Sequence, residues 1–169
     1  MFQALIVGVT ALLVGLDQLT KWLTVVYLKN GEPLTVIPKV LEFTYVENEG
    51  AAFGMLQGGR WFFVVLTAIL MIALGVFVLT GQFRRFRMFN ISATLVLAGG
   101  IGNLIDRAIQ GYVVDMIRVT FIDFPVFNVA DCCVVVGSIL LLIFFLFFYE
   151  ETTPAEASHG NETDRPSGG

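Results

Sequence analysis

The chain has 169 residues, 56% of them hydrophobic and only 14% charged, against about 25% charged in an average soluble domain. Its mean hydropathy of +0.80 is too high for a soluble domain of this size, so a membrane protein is the default reading. The formal net charge of −4 says little, because acids gather near the end at Glu150, Glu151, Glu156, Glu162 and Asp164, and no basic cluster suggests nucleic acid.

Four long apolar stretches each hold the roughly 20 residues a spanning helix needs. The first runs over Phe2–Leu28 and is interrupted by Asp17 and Lys21. It lacks a basic start and an A-x-A-like site, so it is not expected to be a cleavable signal peptide. From Gly31 to Met55 the pattern changes. Leu41-Glu42-Phe43-Thr44-Tyr45-Val46 alternates with a period of two, and Leu34-Thr35-Val36-Ile37 could pair with it. Glu47-Asn48-Glu49-Gly50 reads as a turn. A small sheet outside the membrane, over about residues 31–57, is expected. The second and third stretches are Trp61–Thr80 and Phe89–Ile109. Arg84, Arg85 and Arg87 lie in the tight connection between them. Basic residues in short loops mark the cytoplasmic side, so this connection and both termini are expected there. The fourth stretch is Val126–Tyr149. The expected fold is therefore an all-α membrane protein of four transmembrane helices with a small extracytoplasmic β-element between the first two. Residues 1–150 form one membrane-embedded domain. Residues 151–169, rich in Thr, Pro, Ser, Gly and acids, read as a disordered cytoplasmic tail.

Helix rise converts sequence distance into depth. At about 1.5 Å per residue, Asp17 lies roughly 22 Å along the first span, and Asn103 to Arg107 roughly 21–27 Å along the third. The fourth span runs back, and Asp131 lies roughly 27 Å from its cytoplasmic end. Asp17, Lys21, Asn103, Asp106, Arg107, Asn128 and Asp131 thus fall in the outer leaflet or its interface. Polar groups from three helices at one depth point to one shared site. Asp17 and Lys21 are spaced i,i+4 as a helical ion pair. Asn103, Asp106 and Arg107 share a face. Gly99, Gly100 and Gly102 permit close helix approach.

Asp115 and Asp131 stand next to the ends of apolar segments, where carboxylates are costly and are kept for use. Two carboxylates that can share a proton form an acid/base device for hydrolysis. Each polar residue also has a structural reading. Asp17–Lys21 and Asp106 can order helix ends, Asn128 can cap the fourth helix, and the two aspartates can be interfacial without chemistry. An ion pathway would need polar groups along the full depth, whereas the inner halves of the spans are nearly all apolar. A serine or cysteine hydrolase is disfavoured, because Ser92, Ser138, Cys132 and Cys133 have no histidine in reach and the one histidine is His159. Cys132 and Cys133 read as small buried hydrophobes. No set of metal ligands is visible, so neither metal nor cofactor is expected. A lipid-binding scaffold without chemistry is the last alternative.

Five blocks in order carry a resemblance that covers the chain up to the tail. They are Asp17-Gln18-Leu19-Thr20-Lys21, Asn48-Glu49-Gly50-Ala51-Ala52-Phe53, Gly99 through Arg107, Val113-Val114-Asp115, and Phe127-Asn128-Val129-Ala130-Asp131. Together they resemble lipoprotein signal peptidase (signal peptidase II). The resemblance implies a multi-pass aspartic endopeptidase of the bacterial cytoplasmic membrane. It implies removal of the signal peptide from diacylglyceryl-modified prolipoproteins, with the cut just before the lipidated cysteine. It assigns catalysis to Asp115 and Asp131. Support and substrate contact fall to Asp17, Lys21, Asn48, Gly50, Asn103, Asp106, Arg107 and Asn128. The expected partners are those substrates and membrane lipids, with a monomeric enzyme whose active site faces outward. Glu49, Gly100, Met116 and Cys132 depart from the family's frequent Thr, Ala, Phe and Ser.

Overall fold

The computed structural model describes residues 1–50 and 60–148. Helix α1 covers Phe2–Leu28, and a hairpin of β1 (Leu34–Ile37) and β2 (Leu41–Asn48) follows it. Then come α2 (Arg60–Thr80), α3 (Arg87–Ile109), strand β3 (Val113–Val119) and α4 (Val129–Phe147). All four helices are long and apolar enough to cross a membrane. The expected tail, and residues 51–57 of the expected β-element, lie outside the described residues.

Helix α3 packs against the other three. It carries 56% of its spanning window buried, against 6% for α2. That contrast follows from the bilayer as solvent: the helix with the most polar groups turns them toward protein, and the most apolar helix faces lipid. Close packing of α3 on α4 needs Gly99, where an added Cβ would overlap the carbonyl oxygen of Ala130. At Gly102 it would lie 2.5 Å from Asp17 Oδ2, so the glycine makes room for the polar cluster described below. At the other end of the bundle, Phe83, Phe89 and Phe144 are buried together, with the Phe83 and Phe89 rings 4.7 Å apart.

The three strands form an antiparallel sheet in the order β1-β2-β3. β1 and β2 pair as expected, with Leu34 opposite Phe43 and Ile37 opposite Leu41. Two features differ from the sequence reading. Glu47 and Asn48 belong to β2 rather than to a turn, because Glu47 pairs with Val114 and Asn48 with Val113. Asp115 lies on a third strand rather than in a connection, opposite Val46. The far side of β3 is held by Phe127, whose carbonyl accepts from Ile117 N at 2.7 Å and whose N–H donates to Ile117 O at 3.1 Å. This bridge keeps Val126 and Phe127 out of α4, which starts at Val129 rather than Val126. It also sets Asn128 beside Asp115.

Candidate active site

Asp115 is buried, 2% exposed, although it stands on a strand at the end of the bundle. Its two oxygens accept from two asparagines: Oδ2 from Asn48 Nδ2 at 2.9 Å, and Oδ1 from Asn128 Nδ2 at 2.6 Å. Asp131 sits in the first turn of α4, where a carboxylate suits the helix N-terminus. Its Oδ1 accepts from Asn103 Nδ2 at 2.7 Å and its Oδ2 from the backbone N–H of Asn128 at 3.1 Å. Asn128 caps α4, as its sequence position allowed, and forms a reciprocal capping box with Asp131. One residue therefore binds both aspartates, Asp115 through its side chain and Asp131 through its backbone.

Each asparagine amide has its oxygen tied by a donor, which leaves its NH2 for a carboxylate. Asn48 Oδ1 accepts from Gly50 N at 3.0 Å. Asn128 Oδ1 accepts from Asp131 N at 2.9 Å. Asn103 Oδ1 accepts from Lys21 Nζ at 2.9 Å and from Asn128 Nδ2 at 3.2 Å.

Lys21 is the centre of a second layer. Its ammonium also reaches Asp17 Oδ2 at 2.9 Å and Asp106 Oδ2 at 2.8 Å, and all three residues are buried. Asp17 and Lys21 are thus the expected pair, and Asp106 joins them. Asp17 Oδ1 accepts from Ala130 N at 3.0 Å, which fastens α1 to the start of α4. Asn103, Asp106 and Arg107, spaced along one side of α3, take different partners. The first two point to Lys21, while Arg107 donates to Gly50 O at 2.9 Å and covers the Phe63 ring at 5.4 Å. Arg107 thereby holds Gly50, which in turn fixes Asn48.

Sequence reasoning missed Gln18, whose Nε2 donates to Gly102 O at 3.2 Å and Asp106 Oδ1 at 3.0 Å. It also missed Arg60, which donates to Arg107 O and Ala108 O, both at 2.8 Å, and so closes the end of α3. Gln18 stood inside a motif block with no role given to it. For Arg60 the signal is the free carbonyls that every helix end leaves.

Asp115, Asp131, Asn48, Asn103 and Arg107 all line one cavity of about 500 Å³. Most of the remaining wall is apolar, including Phe124, Val126, Phe127 and Val135. Cys132 lines it too and is exposed, not buried as expected, because it follows Asp131 on the turn of α4 that faces the opening. Burial pushes the Asp115 carboxyl up to about 6, and the nearby Asp131 charge adds to this, while the amides of Asn48 and Asn128 oppose it. A neighbouring cavity of about 370 Å³ shares Asn48 and Asp115 and is lined by Glu47, Glu49 and Asp123.

Four membrane-length helices with two amide-bound aspartates at the floor of an apolar cleft define a multi-pass membrane protein with the groups for acid/base chemistry at one end of its bundle. The comparisons with known proteins narrow that class. Residues 9–147 match the pattern of the signal peptidase (SPase) II family. The chain is 44% identical over 123 residues to the lipoprotein signal peptidase of Enterococcus faecalis, covering 73% of this chain and 76% of that protein. It is 48% identical over 120 residues to that of Latilactobacillus sakei, covering 71% and 78%. A bacterial membrane enzyme solved by the in meso method at 2.3 Å resolution superposes with a TM-score of 0.80 at 34% identity, covering 91% of this chain and 94% of that one. The chain belongs to the signal peptidase II family.

Proposed function

We infer that this family member, a multi-pass protease of the bacterial inner membrane that removes signal peptides from prolipoproteins, is an aspartic endopeptidase working through Asp115 and Asp131. The observation that carries the catalytic assignment is the double hold of Asn128 on both carboxylates at the floor of the apolar cleft. Two close carboxylates do not both ionise readily, so one keeps a proton. Burial of Asp115 favours the proton there. In the proposed step the ionised carboxylate takes a proton from water as the water oxygen attacks the scissile carbonyl carbon. The protonated carboxylate gives its proton to the carbonyl oxygen. The gem-diol adduct then collapses: one hydroxyl returns its proton to the ionised member of the pair as the C=O bond re-forms, the C–N bond breaks, and the departing amine takes a proton from the protonated member. Asn48, Asn103 and Asn128 hold the aspartates in place. Lys21, Asp17 and Asp106 hold Asn103 and the start of α4. Arg107 and Gly50 hold Asn48.

The apolar wall of the cleft suits the acyl chains of a diacylglyceryl group, and a substrate so anchored brings its scissile bond to the depth of the aspartates. The sheet end then faces outward and the loop with Arg84, Arg85 and Arg87 faces the cytoplasm. An ion pathway has no support, because the polar residues in the other half of α3 are consumed locally. Asn90 Nδ2 donates to Phe86 O at 2.7 Å, Ser92 Oγ to Met88 O at 2.6 Å, and Thr94 Oγ1 to Asn90 O at 2.7 Å. From Leu95 to Gly102 α3 offers no polar side chain.

The test is incubation of purified protein with a diacylglyceryl prolipoprotein, followed by mass spectrometry of the product. The expected cut lies just before the lipidated cysteine, with no cleavage by Asp115→Asn or Asp131→Asn while both variants fold. Substantial turnover by either variant removes that residue from the mechanism. Efficient cleavage of the unlipidated precursor refutes the role given to the acyl chains.

A further inference from the structure

At the opposite end of the bundle a third cavity opens between α1 and α3. It measures about 460 Å³ and is walled by Leu5, Val9 and Leu13 of α1 and by Ile91 and Leu95 of α3. Arg84 and Arg87 line it at the loop end. Both guanidinium groups are exposed, and neither takes part in an ion pair among the described residues. Arg84 is held in place over the Phe2 ring, 5.3 Å from its centroid. The backbone that carries it is fixed by Asn90, whose Nδ2 donates to the carbonyls of Phe83, Arg84 and Phe86 at 3.2, 3.1 and 2.7 Å. Two cations with no carboxylate partner among the described residues thus stand at one end of an apolar furrow between membrane-spanning helices.

We propose that this furrow seats one anionic phospholipid, with its phosphate between Arg84 and Arg87 and one acyl chain along Leu5, Val9, Leu13 and Ile91. The chemistry is complementary at both ends. Guanidinium groups bind phosphate oxygens in a planar, multiply bonded fashion. Basic residues at the membrane surface attract anionic lipid. The acids of the chain's own tail could neutralise the arginines. They cannot fill the furrow, since residues 151–169 contain no large hydrophobic side chain. The site lies away from both aspartates and does not depend on the peptidase assignment.

Native mass spectrometry of the purified full-length protein tests this, with palmitoyl-oleoyl phosphatidylglycerol and the phosphatidylcholine of the same chains at equal concentration. The anionic lipid should be retained in preference by roughly 30-fold, the effect of two surface arginines on anionic lipid. Arg84→Gln with Arg87→Gln should remove that preference. Loss of arginines from this loop can disturb insertion, so Ile91→Trp, which fills the furrow and keeps both cations, serves as the second variant. It should lower phosphatidylglycerol retention while cleavage at the distant site continues. Equal retention of the two lipids overturns the proposal, as does retention that survives either folded variant. Retention seen only after Glu150, Glu151, Glu156, Glu162 and Asp164 are neutralised also overturns it, because those acids then hold the arginines in the native chain.

Discussion

Lys21→Met removes one cation and leaves two carboxylates behind. Methionine keeps the unbranched, apolar stem of lysine, so the shape of the site is largely retained. The ammonium now binds Asp17 at 2.9 Å, Asp106 at 2.8 Å and Asn103 Oδ1 at 2.9 Å. Asp17 and Asp106 are 2% and 4% exposed, so water cannot replace it. Removing one partner of a buried ion pair costs about 3–5 kcal/mol, and a cation shared by two acids belongs at the upper end. At about 2–4 °C per kcal/mol for a chain of this size, the melting temperature should fall by about 8–20 °C. Asp106→Asn in the same chain should recover part of the loss, because Asp17 still receives the N–H of Ala130. Thermal unfolding in detergent, followed by the fluorescence of the adjacent Trp22, measures this. Asn103 also loses the shorter of the two donors on its oxygen, leaving only Asn128 Nδ2 at 3.2 Å, so turnover at a temperature where the variant is folded should drop by roughly 10–100-fold. A fall of less than about 2 °C in the single variant, or no recovery in the double variant, would refute the account of Lys21 as the shared cation.

Further outcomes follow from the same contacts. Asn48→Ala should lower turnover with little change in melting temperature, and unchanged turnover would leave Asn48 as a strand-end former only. The Asp115 carboxyl is raised from the usual carboxylate range to about 6, so between about pH 4 and 6 the folded chain binds more protons here than the unfolded chain. Its contribution to stability is therefore full below about pH 4 and lost as pH rises through 6; Asp115→Asn should flatten that part of a melting curve series, and identical slopes would contradict the raised value. Single cysteines at Gln82 and Gln110, with Cys132 and Cys133 replaced, report orientation: an impermeant thiol reagent on spheroplasts should reach position 110 and spare position 82. The reverse pattern would place both aspartates on the cytoplasmic side.

The spans were legible in the sequence because a bilayer demands long apolar runs, and the few polar residues within them stood out. Helix rise then brought Asp17, Lys21, Asn103, Asp106, Asn128 and Asp131 to one level, since a straight rod with a fixed rise converts position into depth. Strand β3 was not legible. Val113, Val114, Asp115 and Met116 are all buried, at 1%, 1%, 2% and 4% exposure. A strand covered on both faces shows no alternation, and so it lacks the signal that revealed β2. Asn48 was misread as a turn residue for a related reason. Its neighbours Glu49 and Gly50 have turn composition, but the strand partner that extends β2 to Asn48 lies 65 residues further on.

Which side chain meets which was beyond the sequence, and the reason is geometric. Asp106 and Arg107 are neighbours in the chain, yet successive helix residues point about 100° apart. One therefore reaches Lys21 and the other Gly50. The orientation of the amides is a further step, because it depends on the donors that tie their oxygens. Asn128 shows why structural and functional readings of such residues are not alternatives. Its capping box satisfies the start of α4, and in doing so it takes Oδ2 of Asp131 as an acceptor and turns its own NH2 toward Asp115. The helix start and the aspartate pair thus share the same atoms. A proton taken up by Asp131 makes a donor of a group the helix start uses as an acceptor. In the proposed reaction, each turnover then acts on the end of α4 as well as on the substrate.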